Sequence, residues 1–494
     1  MTQHDTRTLI ATFAIYLGIC LVLGVIAWRR TTNLKAFILG GRSLGPWVTA
    51  LSAQATDMSG WLLLGLPGFA YLAGVESVWL AGGLVVGTWL NWRFVAQPLR
   101  ERTEALGDAL TLPAYFERAF GDTRGLLRPL TAVFILVFFV LYASSQFVAA
   151  GRLFESLFGL PYAWAVFWGS IVMLVYTFLG GFLAVSWSDV LQGTLMFFAL
   201  LAVALMGLHV VGGLDGLHAS MNAFNAELLD PFTSAEGAAL GWIGIVSSLA
   251  WGLGYCGQPH ILARFMAIRD PQAMSVARRV AMTWQVTVLV AAMIVGFTAL
   301  GALPVRLEGT EAEKAFIHMS AQFFPPWIAG ICLAGVLAAI MSTASAQLLL
   351  SSAAFAEDFY RGLFRKDAGQ RELLWVGRFA VLGVAAIAFV VALDPGSTVL
   401  SRVGDAWAGF GATFGPAIVL SLYWKRMTRA GAYAGILVGG ISVVVWMSLA
   451  HLGGIFALYA MVPGFFASLL AIVGASLLGK NSRPPALSDH PERP

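Results

Sequence analysis

The chain has 494 residues, of which 59% are hydrophobic and 11% charged, and a net charge of +4. Soluble domains carry about 25% charged residues, so a surface that meets only water is excluded. The 54 glycines follow no short period, which excludes collagen, and Cys20, Cys256 and Cys332 lack the number and spacing of a disulfide framework or zinc site.

About 20 apolar residues cross a bilayer core as a helix. Such runs lie near 9–28, 46–72, 76–98, 129–150, 162–181, 189–211, 240–257, 280–303, 326–355, 373–392, 398–423, 430–450 and 455–478. They predict an all-α integral membrane protein with about 13 spans. The first run reads as a retained helix, because Arg29 and Arg30 follow it rather than precede it.

With the N-terminus outside and the C-terminus inside, the cytoplasmic loops are 29–42, 93–128, 258–279, 357–378, 424–429 and the tail from 479. They hold 25 of the 30 Lys and Arg residues, the bias expected of loops that stay in the cytoplasm. Residues 109–116 read as a short interfacial helix, 212–238 as a polar, acidic external loop, and the proline-rich tail as disordered. No GxxxxGK[ST] pattern occurs, so direct use of ATP is not expected.

Two spans carry glycine and proline interruptions at matching places, the pattern that marks binding sites in secondary transporters. Span two holds Ala55, Asp57, Met58, Ser59, Gly60 and Trp61, then Gly65, Pro67 and Gly68. Span seven holds Trp251, Gly252, Gly254, Tyr255, Gly257, Gln258 and Pro259. Five spans separate them, so they cross in opposite directions. The expected division is 1–45 (external tail, first span and cytoplasmic loop), a five-helix repeat 46–211, the loop 212–238, and a second, inverted repeat 239–423. Two further spans at 424–478 and the tail 479–494 complete it.

A carboxylate at bilayer depth costs about 2.5–3.5 kcal/mol even on the lenient insertion scale. Asp57 therefore reads as lining an aqueous cavity or meeting a cation, the alternative being a hydrogen bond across the helix break. Unwound backbone frees carbonyls for a hard cation and N–H groups for an anion. In span nine, Ser342 and Thr343 follow Ala339 and offer the neutral oxygens that an alkali cation prefers. Bonds back to their own helix are the alternative. Trp61, Tyr142, Trp251 and Tyr255 stand near the breaks as cavity walls or as packing. Trp251 and Tyr255 would share a face if an α-helix persisted there.

Duller roles are expected elsewhere. Asp189 reads as the N-cap of span six with Ser186 and Ser188, Arg402 and Asp405 as an i,i+3 pair, and His260 and Arg264 as loop contacts. His209 and His451 show no metal-ligand spacing, Glu76 and Glu155 suit external span ends, and Arg42 suits a gate or the cytoplasmic charge bias. No nucleophile–base pair or metal cluster suggests an enzyme, and no continuous polar file suggests a channel.

The strings Gly40-Gly41-Arg42-Ser43-Leu44-Gly45-Pro46, Asp57-Met58-Ser59-Gly60-Trp61, Gly257-Gln258-Pro259-His260 and Met341-Ser342-Thr343 resemble the sodium/solute symporter family over about residues 9–430. The resemblance implies a leucine-transporter-like core of five plus five inverted helices in a bacterial cytoplasmic membrane. It implies Na+ as coupling ion, held by the carbonyls of Ala55, Met58 and Ala339 and the hydroxyls of Ser342 and Thr343, with Asp57 beside it. It implies L-proline as the cargo, its ammonium at Asp57 and its carboxylate at the N–H groups of Ser59 and Gly60. Trp61, Tyr142, Trp251, Tyr255 and Gln258 would line the ring pocket. Cys256 and Ala346 depart from the family pattern at the pocket edge. Another small solute (pantothenate, a monocarboxylate, a sugar) or proton coupling stays open. No organic cofactor or nucleic-acid partner is expected.

A reporter fused after Asn33 is expected in the cytoplasm and one at Ala226 outside. Both on one side would overturn the thirteen-span arrangement.

Overall fold

The computed structural model describes residues 3–30, 38–179 and 182–479. Among these residues the chain is helical, with only two isolated β-bridges. In order the helices are α1 (Gln3–Arg30), α2 (Pro46–Asp57), α3 (Leu66–Ala73, entered through a π turn at Trp61–Gly65), α4 (Ser77–Leu90), α5 (Ala96–Ala105), α6 (Leu112–Ala119), α7 (Leu127–Phe158), α8 (Tyr162–Leu179) and α9 (Phe182–Val211). Then come α10 (Gly213–Phe224), α11 (Gly241–Leu249), a 3₁₀ segment Ala250–Gly257, α12 (Pro259–Ala267), α13 (Met274–Ala302), α14 (Ala315–Phe323) and α15 (Pro326–Ala353). The last four are α16 (Gln370–Ala392), α17 (Val399–Tyr423), α18 (Arg429–Leu449) and α19 (Met461–Leu478).

By length and composition, nine helices among the described residues can cross a membrane, and two shorter apolar ones lie at Ala11–Leu23 and Tyr162–Leu174. The expected spans 46–72 and 240–257 are the interrupted ones, so neither holds one continuous α-helix. They account for two of the four by which a count by helix length falls short of thirteen, and the two shorter apolar helices lie in the other two expected spans.

Burial sorts the helices into an inner and an outer set. Nearly all of α15 is buried, as is most of α2, whose Ala50, Ser52, Ala53 and Ala55 let neighbours come close. Helices α16, α18 and α19 expose Phe379, Val390, Ile441 and Leu470 on their outer faces, as lipid-facing helices do. Close approach comes from small residues. Gly83 and Gly87 of α4 lie directly on the backbone of Leu249 and Gly252, where any side chain would run into main-chain atoms.

One β-bridge records how the broken spans run. The Leu44 N–H donates to the Ala267 carbonyl at 3.2 Å and the Arg269 N–H to the Leu44 carbonyl at 2.9 Å. The chain entering α2 therefore lies beside the chain leaving α12. The two interrupted spans run in opposite directions, as the five-span separation predicted.

Arg42 sits next to this bridge with a left-handed φ of 54°, which a non-glycine residue adopts only when held. Its guanidinium is buried and donates to Asp108 (2.5 Å), Thr103 (3.2 Å), and the carbonyls of Met266 (2.5 Å) and Ala109 (3.0 Å). It clamps the start of α2 to the end of α12 and the segment after α5.

Two expectations shift in detail. The interfacial helix begins at Leu112, because the Thr111 hydroxyl accepts the Ala114 N–H and caps it there. Segment 212–238 is a partly helical one, holding α10, a 3₁₀ turn at Ala226–Leu229 and a Thr233–Ala239 bridge. The tail read as disordered lies, from residue 480, outside the described residues.

Candidate ion and solute site

The site starts from what the break in span two does to backbone hydrogen bonds. In an unbroken helix the Ala55 and Thr56 carbonyls would accept from the N–H groups of Ser59 and Gly60. Instead the Ser59 N–H turns to the Asp57 carbonyl (3.0 Å) and the Gly60 N–H to the Gln146 side chain (3.2 Å). Two main-chain acceptors are thereby released inside the protein, where an unpaired one is costly.

Helix α15 meets both. The Ser342 hydroxyl donates to the Ala55 carbonyl at 2.7 Å and the Thr343 hydroxyl to the Thr56 carbonyl at 2.9 Å. Ser342 also lies 3.0 Å from the Ala339 carbonyl. Four of the five expected cation ligands, Ala55, Ala339, Ser342 and Thr343, therefore fall in one cluster, all of them fully buried. Met58 is buried at the break itself, its N–H donating to the Gln54 carbonyl at 2.8 Å. The Ser342 contact with Ala339 is also the expected alternative, a bond back to its own helix, and Ser345 makes the same kind of bond to the Ser342 carbonyl at 3.1 Å.

Asp57 has no exposed surface, and neither carboxylate oxygen has a hydrogen-bond partner of ordinary geometry, although the Tyr255 phenol lies beside it. The Ser59 hydroxyl is buried and unpartnered as well. The Asp57 carbonyl accepts from the Trp61 indole at 3.1 Å and the Tyr142 hydroxyl at 3.4 Å. The two N–H groups expected to face a carboxylate, those of Ser59 and Gly60, are both engaged here, the second by Gln146.

The second break lies opposite. Residues Ala250–Gly257 wind as a 3₁₀ helix with three residues per turn, so Trp251 and Tyr255 point about 120° apart rather than along one face. Trp251 stacks on Tyr459 at 5.5 Å, whereas buried Tyr255 meets Trp407 edge-on at 5.0 Å. Trp407 lies against Gly254 so closely that a side chain there would collide with its indole. Gln258 donates to the carbonyls of Gly254 and Trp407, each at 3.2 Å, and its own carbonyl oxygen is unpartnered.

A chain of amides joins the breaks. Gln54 donates to Gln285 at 2.9 Å, Gln285 donates to the Tyr255 hydroxyl at 3.1 Å, and Asn91 donates to the Tyr255 carbonyl at 3.1 Å. Thr56, Asn91, Gln146, Gln285 and Trp407 were not singled out from sequence. The amides could have been, as lone polar residues in apolar runs.

Three duller expectations need correction. Asp189 is no N-cap: it lies seven residues inside α9, fully buried, 3.3 Å from the Arg264 guanidinium and 2.6 Å from the Ser52 hydroxyl that donates to it. Arg264 is equally buried and packs over the Phe182 ring, so it makes no loop contact. His260 is also fully inside, both ring nitrogens unpartnered, 5.5 Å edge-on from the Tyr142 ring. Arg402 pairs with Asp394 at 3.2 Å rather than with Asp405, because α17 starts at Val399 and leaves Arg402 facing the preceding turn.

The family model described as the sodium:solute symporter family matches residues 37–439. The chain belongs to that family. It is 47% identical over 477 residues to proteins named sodium/proline symporter from Salmonella typhimurium and from Escherichia coli, covering 96% of this chain and 93% of each of theirs. The fold is similar to that of a Na+-coupled sialic acid symporter in a substrate-bound outward-open state, with a TM-score of 0.77, 18% identity, and coverage of 96% of this chain and 98% of that one. The family member is thus a multi-pass membrane transporter of the leucine-transporter fold class, and not an enzyme.

The buried pair supplies a test. Asp189→Asn should lower the thermal midpoint in detergent, because an uncompensated buried charge costs about 3–5 kcal/mol. An N-cap would accept Asn almost without loss, so an unchanged midpoint would count against the ion pair.

Proposed function

We propose that the chain couples inward Na+ movement to uptake of L-proline by alternating access in a bacterial cytoplasmic membrane. One observation carries this reading. The carbonyls released at the break in span two meet the Ser342 and Thr343 hydroxyls, and the next residue, Asp57, holds a buried carboxylate with no hydrogen-bond partner of ordinary geometry. Such a cluster offers a small, hard cation neutral oxygens from two separate helices. The names of the 47% identical relatives support proline as the solute, and the aromatic residues about Asp57 suit a small apolar ring.

In this reading Na+ takes the carbonyls of Ala55, Met58 and Ala339 and the hydroxyls of Ser342 and Thr343. Those hydroxyls turn their protons away from the carbonyls to present lone pairs. Asp57 sets the field at the ion and receives the secondary ammonium of proline. The proline carboxylate competes with Gln146 for the Gly60 N–H, and Ser59 offers its free hydroxyl. Trp61, Tyr142, Trp251, Tyr255 and Gln258 enclose the ring. Bound Na+ fixes the unwound segment in the shape that proline needs, so each ligand raises the affinity of the other.

Ser342→Ala and Thr343→Ala should each raise the sodium concentration for half-maximal proline uptake about tenfold, since a hydrogen bond to a charged group is worth about 1.5–3 kcal/mol. Unchanged sodium dependence in both would remove the ion from α15.

Asp57→Asn should nearly abolish sodium-driven uptake in proteoliposomes while Asp57→Glu keeps part of it. The Asn variant retains shape and hydrogen-bonding capacity but loses the charge. Full sodium-dependent uptake by a well-inserted Asp57→Asn protein would refute the role given to this carboxylate. Equal uptake of an unrelated solute with none of proline would move the reading to another cargo.

A further inference from the structure

Two cavities lie end to end on the face expected to be cytoplasmic. The outer one has a volume of about 460 Å3, is open, and is lined by charged groups including Glu117, Arg118, Arg128, Glu357 and Lys366. The inner one, about 30 Å3, is nearly all apolar and is bounded by Ile135, Pro259, Leu262, Ala263 and Leu350. Both share Leu110 and Thr111 in their walls, and Asp358 belongs to the inner one only.

The inner cavity reaches toward the candidate site. Pro259 directly follows the second break, and the next residue is the buried, unpartnered His260 against Tyr142. A charged pair spans the two linings, with Arg128 in the outer and Asp358 in the inner. Asp358 accepts from the Arg128 guanidinium at 2.7 Å and from the Thr111 hydroxyl at 2.9 Å. Its other oxygen is buried without a partner, and Asp358 has no exposed surface. Arg128 also lies 3.6 Å from Glu117 and 3.7 Å from Glu357.

We propose that these cavities are the release route to the cytoplasm, and that Arg128, Asp358 and Thr111 form its gate. The pair joins three elements that must separate for a path to open: the capped start of α6, the start of α7, and the π-helical extension Ala354–Tyr360 that follows α15. An ion pair suits a gate better than apolar packing, because each partner has somewhere to go when it opens. Arg128 keeps Glu117 and Glu357 in the wet outer cavity, and Asp358 gains water along a path that has just become polar. The same α15 carries Ser342 and Thr343 to the span-two break, so movement at one end of this helix is felt at the other.

Accessibility tests this without reference to the transported solute. In a protein whose Cys20, Cys256 and Cys332 are replaced by serine, Ala263→Cys places a thiol in the inner cavity. In inside-out vesicles without solute, a membrane-impermeant maleimide should label it slowly. Adding Asp358→Asn should speed labelling roughly tenfold, equivalent to removing about 1.4 kcal/mol from the closed state. Thr111→Val, which keeps both charges and disturbs folding less, should speed it by a smaller factor. Labelling in right-side-out vesicles should not change. Equal rates with and without Asp358→Asn and Thr111→Val would overturn the gate, as would acceleration from the opposite face. Because no uptake is measured, a failed proline assignment would leave this result standing.

Discussion

The structure depends on a backbone debt and the way it is met. Unwinding α2 at Met58–Gly60 strips the Ala55 and Thr56 carbonyls of their helical donors, and hydrocarbon offers none in exchange. The Ser342 and Thr343 hydroxyls of α15 supply them across 287 residues of chain. The break is therefore stable only while α15 is docked against it. In the proposed reading, a cation bound among these oxygens would stabilise the docked arrangement, and a shift of α15 would disperse its ligands. On that reading one contact would tie ion occupancy to helix position, which is the coupling that alternating access requires.

Two buried carboxylates show how differently the same chemistry is treated. Asp189 has a guanidinium at 3.3 Å and a hydroxyl at 2.6 Å, so its charge is answered within the protein. Asp57 is just as deep, and neither oxygen has a hydrogen-bond partner of ordinary geometry, the Tyr255 phenol being the one donor beside it that the structure gives. That difference is why a ligand role is proposed for Asp57 and a structural one for Asp189. Asp189, Arg264 and Ser52 instead lock α9, α12 and α2 together, the frame that holds the unpaired group in place.

Rigidity around the site comes from close contact at glycines and from aromatic interlock. Gly87 and Gly252 bring α4 against the 3₁₀ segment backbone to backbone, and Gly254 admits the Trp407 indole that holds Tyr255. The Gln54–Gln285–Tyr255 chain then fixes the distance between the two breaks. Arg42 does the corresponding work at one end of the bundle, where it holds the start of one broken span to the end of the other.

Much of this was local enough to be read from sequence. Hydropathy marked the spans, because a bilayer imposes length and composition on each helix separately. Glycine, proline and Asp57 marked the breaks, because backbone freedom and buried charge are properties of single positions. The strings about Asp57 and Ser342 marked the family and, through it, four expected ligand positions that lie in one cluster. Pairing across the bundle was beyond that reach. Asp189 looked like a cap, and Arg264 and His260 like loop residues, because sequence shows how near a residue is to a span end and not what stands opposite it. Trp251 and Tyr255 share a face only under α-helical spacing, and sequence does not show that the segment winds as a 3₁₀ helix instead. Thr56 carries no signal of its own, and Gln146 shows only as a lone polar residue in an apolar run. Their roles follow from which carbonyl the break releases and which N–H it turns aside, and the packing of α15 and α7 against α2 decides both.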